Sequence, residues 1–158
     1  MESHRITLSL PPRWATRHDP PPGTLLIARP VRAGGALAPV GPEVVLRAVE
    51  VPEPDLSAWR ARALDELAAR AIDLALEDDD EYDLCGRRVR YHRFAHRVGL
   101  ADVLTEQWAW FDASVGVTLS CSLERGDYPL YCDLFEDIAA TVEIAPAADA
   151  TTGLSGGP

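Results

Sequence analysis

The chain opens with "HRITLSL", where Ile6, Leu8 and Leu10 alternate with polar neighbours. That is the period of a half-buried strand, and Pro11-Pro12 ends it. A loop-forming stretch, "PPRWATRHDPPPG", follows, with Trp14 as its one bulky anchor. "TLLIA" (24–28) and "EVVLRAVEV" (43–51) read as the next strands, separated by a segment that Gly34-Gly35 and Pro42 keep irregular. The period then lengthens. Trp59, Ala63, Leu67, Ala71 and Leu74 recur at helical spacing and predict a helix over 55–76, with Asp55 as its N-cap. "EDDDEYDL" (77–84) reads as its acidic exit. Strands are predicted over 87–97, 102–112 and 115–125, joined by "RVGL" and the tight "DASVG" into an antiparallel meander. Helical spacing returns over 127–142 through Leu130, Leu134, Ile138 and Val142. The small, polar tail from Ala145 to Pro158 is expected to be disordered, leaving residues 1–144 as one domain. The expected fold class is α+β: an antiparallel sheet of about six strands sandwiched by a long helix and a short C-terminal helix.

Register decides which side chains share a face, because a slip of one residue exchanges the two faces. A two-residue turn at Ala113-Ser114 pairs Trp110 with Val117 and Trp108 with Leu119, which keeps the apolar positions together. Both tryptophans are then expected to be buried under the 55–76 helix. The opposite face carries Arg88, Arg90, His92, Phe94, Gln107 and Phe111 beside Thr118, Ser120 and Ser122. A solvated face needs no phenylalanine, whereas interfaces combine arginine with aromatics. Those first six residues are therefore the candidate partner-binding surface, for a protein client or for a second copy in a homodimer. A merely solvated sheet face is one competing explanation, and a helix of the same chain lying on this face, the 127–142 helix, is the other.

Charge narrows the partners. The 158 residues carry a formal charge of −10, which opposes nucleic acid and anionic membrane surfaces and suits a basic protein. Every basic side chain is arginine. Without lysine there is no Schiff base, no pyridoxal phosphate chemistry and no Walker-type phosphate loop. No apolar leader or run of the ~20 residues that span a bilayer is present, so a cytoplasmic location and no stable membrane insertion are expected. Cys85, Cys121 and Cys132 show no paired spacing and are expected to be reduced and mostly buried.

Specific chemistry finds little support. His92 and His96 on a strand lie ~13 Å apart at ~3.3 Å per residue, too far to share a metal. "EDDDEYD" lacks the glycine and the twelfth-position glutamate of a calcium loop. There is no G-x-S-x-G elbow, and no pair of carboxylates stands out as an acid–base couple. No catalytic residue, metal or cofactor is assigned.

Five segments together resemble PsbP-like domains of the DcrB and LpqN lineages: "ITLSLPPRW", "EVVLRAVEVPEPDLSAWRARAL", "GRRVRYHRF", "TEQWAWF" and "VTLSCSLERGDYPLYCDLFEDIAATV". The resemblance spans about residues 5–144. It implies a sheet between helices used as a non-catalytic binding module. That family includes bacterial lipoproteins, a photosystem subunit, a Ran-binding import factor and Eag-type chaperones of secreted toxins. The function it implies here is a cytosolic adaptor or chaperone for a secretion-system or toxin client. The alternatives are an immunity protein, or a small-molecule-binding or enzymatic domain using a pocket between sheet and helix.

Overall fold

The computed structural model describes residues 4–31 and 41–146. In chain order the elements are β1 (His4–Thr7), β2 (Trp14–Thr16), β3 (Thr24–Pro30), β4 (Glu43–Glu50), α1 (Leu56–Arg70), β5 (Ile72–Leu84), β6 (Arg87–Val98), β7 (Ala101–Asp112), β8 (Val115–Glu124), α2 (Tyr128–Ala140) and β9 (Glu143–Pro146). A seven-stranded antiparallel sheet runs β2-β3-β4-β8-β7-β6-β5, and β1 pairs with β9 in a separate ribbon.

The topology follows from one crossing. Strands β2 to β4 build half of the sheet as a meander. The chain then leaves β4 and passes over one face through α1 to the far edge, where β5 begins. It returns strand by strand until β8 closes against β4. From β4 to β5 is four strand spacings, about 19 Å. The 15-residue α1 is about 22 Å long, so it bridges that distance in one piece. Asp55 caps it as expected, its Oδ1 accepting from Ala58 N at 2.8 Å.

The returning hairpins have tight two-residue turns. Cys85-Gly86 and Ala113-Ser114 all have positive φ, as a type I′ turn requires. The second of these gives the expected register, Trp110 opposite Val117 and Trp108 opposite Leu119.

Two expectations are corrected. The helix stops at Arg70, not at residue 76, and 72–84 is a 13-residue edge strand instead of an acidic helix exit. The helices also exchange faces. Trp108 and Trp110 are buried as expected, but their cover is α2, through Phe135, Ile138 and Ala139, with Val142 and Ile144 beside them. Helix α1 lies on the opposite face, where Leu56 and Trp59 pack with Val51, Ala109 and Phe111. The crossing connection can reach only the face it crosses, which leaves the other to α2.

The sheet is thus covered on both sides. Two residues assigned to the tail, Ala145 and Pro146, belong to β9, where they pair with Arg5 and His4. The remainder of the tail, 147–158, lies outside the described residues. The three cysteines are free thiols, but only Cys121 is buried. Among the described residues no helix is long and apolar enough to cross a membrane.

Candidate functional site

The acidic run of β5 faces the arginines of β6. Cross-strand pairing sets Asp79 opposite His92, Glu81 opposite Arg90 and Asp83 opposite Arg88. Arg90 donates to both carboxylate oxygens of Asp79, at 2.8 and 3.1 Å, and lies 3.8 Å from Glu81. Arg88 stands 3.6 Å from Glu81 and 4.0 Å from Asp83. His92 is fully buried, with Nε2 3.1 Å from the Asp79 carboxylate but out of line for a hydrogen bond. Burial lowers its pKa, against the pull of Asp79, so the ring is neutral at pH 7.

The structure does not present the six residues proposed as a partner surface as one open face. His92 and Phe94 are buried. Gln107 is engaged on both sides, accepting from Arg60 and donating to Ser120 Oγ at 2.9 Å. Phe111 packs against the cluster under α1. Arg88 and Arg90 are neutralised by β5. The physical reason is the crossing helix: it takes the face that the alternation alone leaves open.

A cleft of about 470 Å³ remains between α1 and this face, to which Phe94 and Gln107 both contribute. Val49, Trp59, Leu67 and Phe94 supply its apolar walls; Arg47, Arg60 and Arg70 bring positive charge, and Glu50 and Glu66 negative. Arg60 is only 5 % exposed. One amino group donates to Gln107 Oε1, its guanidinium carbon sits 4.9 Å from the centre of the Trp59 ring, and its buried Nε has no acceptor among the described residues. Burial first, and the neighbouring charge of Arg90 second, push its pKa down to about 10, which leaves it charged at neutral pH. Arg62, at the same cleft, differs: Glu53 and Glu66 hold it. For Arg47, Arg60 and Arg70 no carboxylate lies within ion-pair distance among the described residues. Sequence reading missed Arg60 because Trp59-Arg60 falls within a well-formed helix and gives no sign that both residues turn toward the sheet.

A second buried polar centre lies on the α2 face. Glu106 is 5 % exposed; Oε2 accepts from Tyr91 Oη, while Oε1 is buried without a donor. Burial raises its pKa, opposed by Tyr91, Tyr128 and Arg93. The register carried this signal, since Glu106 shares its parity with Trp108 and Trp110. Cys121 is nearby, its thiol pushed well up by burial and then by Glu106, so it is a poor nucleophile. Among the described residues no three His, Cys, Asp or Glu side chains gather as a metal-holding group.

The far end of the sheet is apolar and open. Leu100, at the tip of the β6–β7 turn, is 98 % exposed, and Val98 and Ile72 beside it are more than half exposed. Ile72 and Val98 line a shallow groove of about 550 Å³ with Leu67 and Ala71, to which Arg70, His96 and Arg97 add polar groups.

No family model and no curated protein matches the chain. Solved structures do. LpqN of Mycobacterium tuberculosis, involved in cell envelope biogenesis, aligns with a TM-score of 0.74 at 14% identity, covering 92% of this chain and 86% of its own. The cyanobacterial PsbP of Synechocystis sp. PCC 6803 gives 0.59 at 12% identity, over 91% and 94%. The Saccharomyces cerevisiae Ran-binding protein Mog1p gives 0.57 at 11% identity, over 89% and 88%. At such identities the likeness is one of fold.

Proposed function

We propose that this chain, with its PsbP-like fold, is a non-catalytic protein-binding module of the adaptor or chaperone kind. Its contact surface is the apolar end of the sheet rather than the arginine face. The observation that carries this reading is Leu100, a large apolar side chain almost wholly in water, two residues from the exposed Val98, which lines a groove with the exposed Ile72. Contiguous exposed apolar surface costs hydration free energy and marks a place where a partner docks. A Ran-binding protein of the same fold supports a protein partner. The formal charge of −10 favours a basic client, as a secreted toxin or effector would be, through faster encounter.

The test is site-specific photo-crosslinking from position 100 in the producing cells, followed by binding of the purified partner. Position 130 serves as control, since Leu130 is 79 % exposed but stands alone on α2. A partner captured from 100 and not from 130 is expected, with affinity falling at least tenfold in Leu100→Asp, or about 1.4 kcal/mol. Equal capture from both positions, or full affinity in Leu100→Asp, refutes the reading.

A further inference from the structure

We propose that the cleft between α1 and the sheet binds an organic carboxylate with an apolar or aromatic body, its carboxylate held by Arg60. Three observations converge. Arg60 is a buried guanidinium that lines the cleft and keeps one donor, Nε, without an acceptor among the described residues. A buried charge is costly unless paired, and the neutral amide of Gln107 is its one hydrogen-bond partner among the described residues. Arg47 and Arg70 line the same cleft, also without a carboxylate at ion-pair distance among the described residues. Glu50 and Glu66 line the cleft too, but Glu66 is paired with Arg62, so Arg47, Arg60 and Arg70 outnumber the one remaining carboxylate and leave the cleft locally positive in a chain of charge −10.

The remaining walls choose between anions. A planar guanidinium matches a planar carboxylate, and Trp59, Phe94 and Leu67 offer apolar surface to the rest of the molecule. A volume of about 470 Å³ suits a small molecule rather than a folded segment. This site is separate from the apolar end that docks the client, although Leu67 and Arg70 line both cavities.

The probe is 3-phenylpropionate, titrated into the whole protein at low salt by calorimetry, with binding at about 1 mM or tighter expected. Arg60→Gln should weaken it at least tenfold and Arg47→Gln several-fold; Arg88→Gln, which removes an arginine that does not line the cleft and faces Glu81 and Asp83, should change it less than twofold. Leu100→Asp should bind the probe normally, so the two proposals fail independently. If Arg60→Gln does not fold by circular dichroism, Arg47→Gln against Arg88→Gln decides. No binding overturns the site. Equal binding of 3-phenylpropanol overturns the anion, and tighter binding of phenyl phosphate overturns the carboxylate.

Discussion

Glu106 shows how far one side chain can depart from its surroundings. It sits in a face built from Tyr91, Trp108, Trp110 and Leu119, and it satisfies only one oxygen, through Tyr91. Burial, the dominant cause, raises its pKa in the fold above the ordinary 4.5. Below that unfolded value the carboxyl is protonated in both states and costs nothing extra. As pH rises through the folded pKa, the native state must either hold a proton that the unfolded chain has released or bury a charge. Stability from this group is therefore present at low pH and lost on the way up. Glu106→Gln imitates the protonated form and keeps an acceptor for Tyr91. Melting temperatures from pH 4 to 8 should show the variant gaining on the natural chain as pH rises above 4.5. A difference that stays flat across the range would mean that Glu106 is not desolvated. His92 contributes the opposite slope: its lowered pKa makes its contribution present above about 6.5 and lost as pH falls through the folded value. It cancels in the comparison because both proteins carry it.

At the scale of elements, docking of α1 turns on Gly116. A Cβ built there would lie 2.6 Å from Val51 Cγ2 and closer still to the Trp59 ring. The indole is rigid and cannot step aside, so Gly116→Ala must shift the helix or the strand. A loss of about 1–3 kcal/mol in urea unfolding is expected, and unchanged stability would place Trp59 elsewhere. Nothing in the alternation of β8 announces this, because a glycine between Val115 and Val117 reads as an ordinary gap in a strand. The strands β6, β7 and β8 were legible for the opposite reason, each carrying its own apolar and polar faces. β5 was not. Asp and Glu are weak strand formers, and Ala71 and Leu74 continue the helical spacing of Trp59, Ala63 and Leu67 with no glycine or proline to stop it, which masks the alternation of Ile72, Leu74 and Leu76. β5 is held as a strand by its backbone ladder with β6 and by Tyr82 and Leu84 against the core, while Arg88 and Arg90, beyond the next turn in the chain, offset its negative charge. Local reading sees six acids among seven residues, 77–83; only pairing sets Arg93, Arg90 and Arg88 opposite Asp78, Glu81 and Asp83.

At the scale of the whole molecule, the two helices compete for two faces, and connectivity settles the contest. The apolar Trp108 face and the arginine face were both legible from sequence, as were the helices, yet their assignment was reversed, because strand order is a long-range property. It is decided by β8 closing on β4 across an intervening helix and three strands. The cleft with Arg60 exists only because of that closure, which is why it could not be read locally. The ribbon β1–β9 finishes the structure on the α2 side: Ile6 faces Ile144, and Thr141 Oγ1 accepts from Ser9 N at 2.9 Å. Ile144 is 3 % exposed and belongs to the main core with Phe135 and Val142. If the ribbon were only a loose closing of the chain ends, trimming that side chain would cost little. Because it is core, Ile144→Ala should cost about 2–4 kcal/mol, the range for a buried large-to-small change. The same variant should leave probe binding at Arg60 unchanged, since the sheet separates the two. Chemical denaturation and calorimetry on one preparation read both quantities, and a mild loss of stability would show that the α2 face holds without its ribbon.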